Sequence, residues 1–340
     1  GKILSPSFFI YGSSSTTKIR SVKFAIIGSG AVGGYFGARH HEAGHTVYFL
    51  ARGSHLEAIR KNGLQIKSVA GDYKALNVES HETVQTIPSV DVVLVAVKAW
   101  QVSEIAPKLK SLAKGSTCFV PLQNGVEAHG ILEEVLGKER VLGGLCGLIS
   151  FIEKPGVIQH AGAKPYVTIG EYHGQSSSRT KVIQEAFSPC IGAKANISDD
   201  IEKSVWEKFL LISAFSGVGA VTRVPIGIIR SIPETRKLLD DALKEVMQVA
   251  NARGVNLDQI SLKRTWDFYD NLPPQGTASM QRDIMDGKPS ELESQTGTIV
   301  RYGKESNVPT PINTLIYNLS LIHISEPTRP LYISYAVFCL

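Results

Sequence analysis

The residues with the most readable chemistry are the glycines of Gly28-Ser29-Gly30-Ala31-Val32-Gly33. Between a strand and a helix, this spacing lets Gly28 make a tight turn and lets bare backbone at Gly30 approach a pyrophosphate. Gly33 then permits close packing of helix on strand. Free N–H groups at the helix start, and the positive end of its dipole, face the phosphates. The competing reading is a glycine-rich turn without a ligand. Further on, where an NAD-specific site places a carboxylate, stands Arg52, with Ser54 and His55 beside it. A carboxylate would repel a ribose 2′-phosphate, whereas a guanidinium grips it through two charge-assisted bonds. The expected cofactor is therefore NADP(H) rather than NAD(H), set against Arg52 as a solvated surface cation. Lys98 and Asn124 each follow an apolar run, at strand ends where open parallel sheets bind ligands. The plainer reading of each is a polar strand end facing water. Lys208 follows Trp206 on a largely apolar helical segment and is a candidate proton donor, because burial lowers a lysine's pKa. Spacing alone serves a snorkelling surface lysine equally well.

These residues need a scaffold, and the sequence supplies the pattern of one. Residues 22–27, VKFAII, read as a buried parallel strand, followed by the glycine turn, a helix closed near Gly44 and a second strand over 45–51. Residues 90–97 and 117–122 read as further buried strands ending at Lys98 and at Gln123-Asn124-Gly125. Over 141–197 short apolar strands alternate with turns, which suggests antiparallel extension of the same sheet. A Ser-rich loop over 175–180 leads to a further helix. From about 198 the period becomes helical. Helices are expected over 200–221, 233–252, 258–270, 277–286 and 290–305, with Pro309 and Pro311 punctuating the end. Gly217 and Gly219 lie inside the first of these, at a cost of roughly 1 kcal/mol each relative to Ala, so a close approach is expected there. The fold class is an α/β Rossmann domain (22–197) joined to an all-α domain (198–318).

Composition narrows the function classes. The 340 residues carry a formal net charge of +5, and Lys and Arg form no block, so nucleic-acid binding is not expected. No apolar run reaches the roughly 18–20 residues of a bilayer span, so membrane insertion is not expected. Cys118, Cys146, Cys190 and Cys339 show neither metal-ligand spacing nor a disulfide framework. No metal site is expected, and a reducing compartment fits best. Residues 1–21 contain no acid, a Ser/Thr cluster and the cations Lys2, Lys18 and Arg20. They fit an organelle transit remnant or a disordered leader equally well. The expected location is accordingly the cytoplasm, or a plastid or mitochondrial matrix on the first of those readings. Residues 319–340, LSLIHISEPTRPLYISYAVFCL, look like in-frame translation of sequencing-adapter DNA and are expected to be non-native.

Taken together, GSGAVG, VKAW (97–100), QNG (123–125), WEK (206–208) and SMQRDIMDGKPSELE (279–293) resemble the ketopantoate reductase (2-dehydropantoate 2-reductase) family over residues 22–318. Only the first motif is generic. The resemblance implies a Rossmann domain and a helical domain like that of 6-phosphogluconate dehydrogenase, with the active site in the cleft between them. It also implies Lys208 as the catalytic lysine, Glu291 as the acid that binds the substrate hydroxyl, and Ser279 as the serine that meets the substrate carboxylate. Lys98 and Asn124 then lie near the nicotinamide and the substrate. The plain alternatives are an N-cap for Ser279 and a first-turn helix acid for Glu291. The chain departs from the family at Ile212, Ser216, Ile226 and Gly276, where asparagines are common. The implied activity is NADPH-dependent reduction of 2-dehydropantoate to pantoate, a step of pantothenate and coenzyme A biosynthesis, by a monomer or homodimer. The alternatives are reduction of another small 2-oxo acid, or a non-catalytic NADP(H)-sensing protein.

Overall fold

The computed structural model describes residues 21–172, 174 and 176–325. The expected leader, apart from Ser21, and residues 326–340 of the expected non-native tail lie outside the described residues. The first half of the chain runs β1 (Lys23–Ile27), α1 (Ala31–Glu42), β2 (Thr46–Leu50), α2 (Gly53–Asn62), β3 (Leu64–Ser68), β4 (Tyr73–Ala75), β5 (Glu79–His81), β6 (Val92–Val95), α3 (Val102–Leu109), β7 (Cys118–Pro121), α4 (Ala128–Leu136), β8 (Gly143–Lys154), β9 (Val157–Gly170), α5 (Ser178–Phe187) and β10 (Lys194–Ile197). The second half is helical: α6 (Ile201–Thr222), α7 (Ile226–Ser231), α8 (Pro233–Ala252), α9 (Gln259–Asn271), α10 (Ser279–Met285), a π-turn over Glu293–Gly297, α11 (Thr298–Glu305) and α12 (Pro311–Ser325).

The first sheet is parallel throughout, in the order β5-β2-β1-β6-β7. Its central strand has no polar face. Phe24 and Ile26 enter one core cluster while Ala25 and Ile27 enter another on the opposite side. That is why the run reads as continuously apolar. The turn after β1 is correspondingly tight. Gly28 has φ +97°, and a Cβ there would lie 2.7 Å from the Val97 nitrogen; a Cβ at Gly33 would lie 2.2 Å from the Gly28 carbonyl oxygen.

The expected antiparallel extension of this sheet is corrected by the structure. Residues 141–197 join β3 and β4 in a second five-stranded sheet, ordered β10-β9-β3-β4 with β8 on β9. The pairing is mixed: β8 and β9 are antiparallel, but β9 runs parallel to both β3 and β10. The 14-residue β9 is long enough to offer successive parts of its edge to β3 and β10. The Phe119–Val141 bridge joins β7 to the chain that enters β8. Helix α1 packs against the second sheet as well, with Gly34 so close that a Cβ would meet Ile158 at 2.2 Å.

In the helical half, Asp200 caps α6 by accepting from the Lys203 N–H at 2.9 Å, and Arg223 ends the helix in a left-handed conformation. The two internal glycines answer to side chains: a Cβ at Gly219 would lie 2.5 Å from Gln281 Oε1, and one at Gly217 3.0 Å from Ile316. By length and apolarity α6 alone among the described helices passes for a bilayer span, yet 67% of that stretch is buried inside the protein. The expected helix over 290–305 is also corrected: it begins as a π-turn at Glu293 and becomes α-helical at Thr298. Pro311 opens a helix rather than closing the domain, because a proline at the first helical position loses no intrahelical bond. Glu245 receives the otherwise free Ile312 and Asn313 N–H groups at 2.8 Å each, and α12 continues past residue 318 to Ser325.

Candidate active site

The cleft is built from the carboxyl ends of β6 and β7, the segment before the π-turn, and α6. After β7, Gln123 is buried and its amide nitrogen donates to the Val95 and Val97 carbonyls at 2.9 Å each. This ties the end of β7 to the end of β6 and fixes the neighbouring Asn124. The Asn124 amide nitrogen donates to Glu291 Oε2 at 3.4 Å, and the Ala99 N–H to Glu291 Oε1 at 3.4 Å. Glu291 is only 5% exposed. It lies two residues before the π-turn, so it is not a helix first-turn acid. One carboxylate from the helical half thus meets two strand-end groups of the sheet.

Lys208, on α6, is partly buried. It has no ion pair or side-chain hydrogen bond among the described residues. At the buried Cys146 on β8, burial pushes the thiol pKa up, Lys208 pulls it down, and Glu291 pushes it up again. Both Lys208 and Glu291 are therefore within electrostatic reach of one sulfur on β8. Lys98 is exposed and pairs with Asp283 of α10 at 3.3 Å. Ser279 stands one turn before Asp283 on the same short helix and is exposed. It is the first helical residue; the capping position belongs to Ala278, whose N–H donates to Gln281 Oε1 at 3.3 Å. Ser279 makes no contact with Asn124 or Glu291 among the described hydrogen bonds.

Sequence reasoning missed the interdomain contacts. Glu127, three residues past Asn124, accepts from Arg301 Nη2 at 2.9 Å on both oxygens and from Thr298 Oγ1 at 2.8 Å. Arg301 also grips Glu293. Nothing local in the sequence links residues so far apart.

The glycine turn fits a dinucleotide. A Cβ at Gly30 would meet nothing within 4 Å, so the backbone there is open to an approaching group. Helix α1 has no side-chain cap and no acid in its first turn, which leaves its N–H groups to an anion. Arg52, just past β2, is exposed and precedes α2.

Of the departures, Ile226 is fully buried, and its N–H donates to the Gly276 carbonyl at 3.0 Å. The two form one packed joint between the start of α7 and the loop before α10. Ser216 is 2% exposed. Ile212, one turn beyond Lys208, is partly exposed.

The family description "Ketopantoate reductase PanE/ApbA" matches residues 24–174, and its C-terminal counterpart matches residues 200–322. The chain belongs to the ketopantoate reductase family. The family consists of oxidoreductases that use NAD(P) on a Rossmann domain. The chain is 30% identical to an uncharacterized oxidoreductase, YkpB, of Bacillus subtilis, over 87% of this chain and 97% of that protein. It is equally, 30%, identical to a 2-dehydropantoate 2-reductase of Nostoc, over 88% and 95%. The crystal structure of a 2-dehydropantoate 2-reductase from Geobacter metallireducens superposes with a TM-score of 0.81 at 29% identity, covering 90% of this chain and all of that one.

Proposed function

We propose that this member of the family is an NADPH-dependent reductase of 2-dehydropantoate, giving pantoate. The observation that carries the reading is the buried Glu291 carboxylate of the helical domain, held by Asn124 and Ala99 at the strand ends of the dinucleotide domain, with Lys208 in electrostatic reach of the same Cys146 sulfur as Glu291. Bound NADPH supplies a hydride to the 2-oxo carbon. The Gly28–Gly33 backbone, with Ser29, Ala31 and Val32 between the glycines, holds the pyrophosphate, and Arg52 takes the 2′-phosphate. As negative charge grows on the carbonyl oxygen, the Lys208 ammonium stabilises it and gives up a proton to it, so the product is a neutral alcohol. Glu291 accepts a hydrogen bond from the substrate hydroxyl, with Asn124 and the Ala99 N–H holding the carboxylate in place. Lys98 and Ser279, near each other through Asp283 of α10, favour the substrate carboxylate.

A second reading is favoured by Ile212. An apolar side chain on the Lys208 face of α6 offers no hydrogen bond to a hydroxylated substrate, and a missing bond at such a position shifts discrimination by about 1–3 kcal/mol. On that reading the substrate is a different small 2-oxo acid with an apolar side chain. Steady-state NADPH oxidation with 2-dehydropantoate and with branched, unhydroxylated 2-oxo acids separates the two. The first reading expects the highest kcat/KM for 2-dehydropantoate; turnover of only the apolar acids replaces it with the second.

A further inference from the structure

We infer that His55 is a positioning residue for the dinucleotide turn, acting through the Ser29 peptide; this rests on the cofactor reading above. Both ring nitrogens of His55 are engaged by backbone. The Gly156 N–H, at the turn between β8 and β9, donates to Nδ1 at 3.1 Å, and Nε2 lies 2.8 Å from the Ser29 carbonyl oxygen. Because Nδ1 must accept, the proton sits on Nε2 and is donated to Ser29. The anchor beneath is firm: the Gly156 carbonyl receives the Gln65 N–H of β3 at 2.9 Å, and Gly156 packs against Ala58 of α2.

The consequence lies one peptide on. A trans peptide is planar, with its C=O and N–H pointing in opposite directions. A His55 ring that draws the Ser29 carbonyl toward the second sheet therefore aims the Gly30 N–H the other way, over the open side of the turn. That N–H has no hydrogen-bond partner among the described residues. The other end of Ser29 is fixed too, since its N–H and hydroxyl both donate to the Leu50 carbonyl, at 2.9 and 3.0 Å. His55 thus pre-orients a donor for the pyrophosphate, which NADPH and NADH share, whereas Arg52 answers only to the 2′-phosphate.

The test is titration of the full chain with NADPH and with NADH, with kcat and Tm measured on the same samples. His55→Ala is expected to weaken both dinucleotides by the same factor, about tenfold, the loss expected of one hydrogen bond. At saturating NADPH, kcat stays within about twofold, because the hydride and proton donors are untouched. His55→Gln keeps a donor near the Nε2 position and restores affinity to within about twofold of the parent, while His55→Asn, which mimics only Nδ1, does not. Arg52→Ala weakens NADPH alone. Unchanged affinity in His55→Ala, a loss confined to NADPH, or a glutamine variant as weak as the alanine one overturns the role of His55 while leaving the enzyme reading intact. A parent protein that binds neither dinucleotide overturns both.

Discussion

Glu291 shows how a residue's role changes once its partners are known. In the sequence it is one acid in the first turn of an expected helix; in the fold it is a buried carboxylate held by Ala99 and Asn124, 192 and 167 positions away. Ile226 and Gly276 likewise look like two independent departures but form one hydrogen-bonded joint. His40 is a residue whose chemistry is set mainly by burial. Its ring stacks on Phe24 at 3.9 Å and meets Phe187 edge-on, His45 lies beside it, and Nδ1 is 3.5 Å from the Cys190 sulfur. Desolvation first, and His45 second, hold its pKa well below the ordinary 6.5. The unfolded chain therefore takes up a proton there before the folded one does. Stability is full above pH 6.5 and falls as the pH drops below it, by up to about 1.4 kcal/mol per pH unit from this group. Urea unfolding across that range should show a shallower loss for His40→Leu than for the parent; equal slopes would remove His40 from the account.

At the scale of elements, what repeats locally was legible and what pairs distantly was not. The helix over 233–252 was readable to the residue because Pro233 opens it and its apolar period is clean. The strand–glycine–helix unit was readable because Gly28 and Gly33 answer steric demands of the turn while Gly30 leaves its backbone open. The second sheet was not, since β9 draws on β3 and β10, which lie far away in sequence. The π-turn before α11 was also invisible, because one extra residue in a turn leaves the apolar period nearly unchanged. Packing of β1 against α1 yields a direct test. In Gly33→Ala the new methyl would need the place of the Gly28 carbonyl, 2.2 Å away, and backbone cannot swing aside as a side chain can. The variant should lose more than about 2 kcal/mol of stability and bind dinucleotide poorly. A Gly33→Ala protein with the parent's unfolding midpoint would contradict that packing.

On the scale of the whole molecule, two domains with separate main cores are joined by a small apolar cluster of Leu145, Ile201 and Val205 and by polar contacts across the cleft. One is the Glu127–Arg301–Thr298 group, another the Lys98–Asp283 pair, and Glu291 itself forms a third. Contacts of this kind fix the separation between the glycine turn and α6 without merging the two cores. On this account the sheet half binds the reductant and the helical half supplies the proton. Lys208→Ala separates those tasks in a single variant. Measured together, kcat for 2-oxo acid reduction should fall by about two to four orders of magnitude, while the Kd for NADPH stays within about twofold of the parent value. A Lys208→Ala protein that turns over as fast as the parent would contradict the account at its centre.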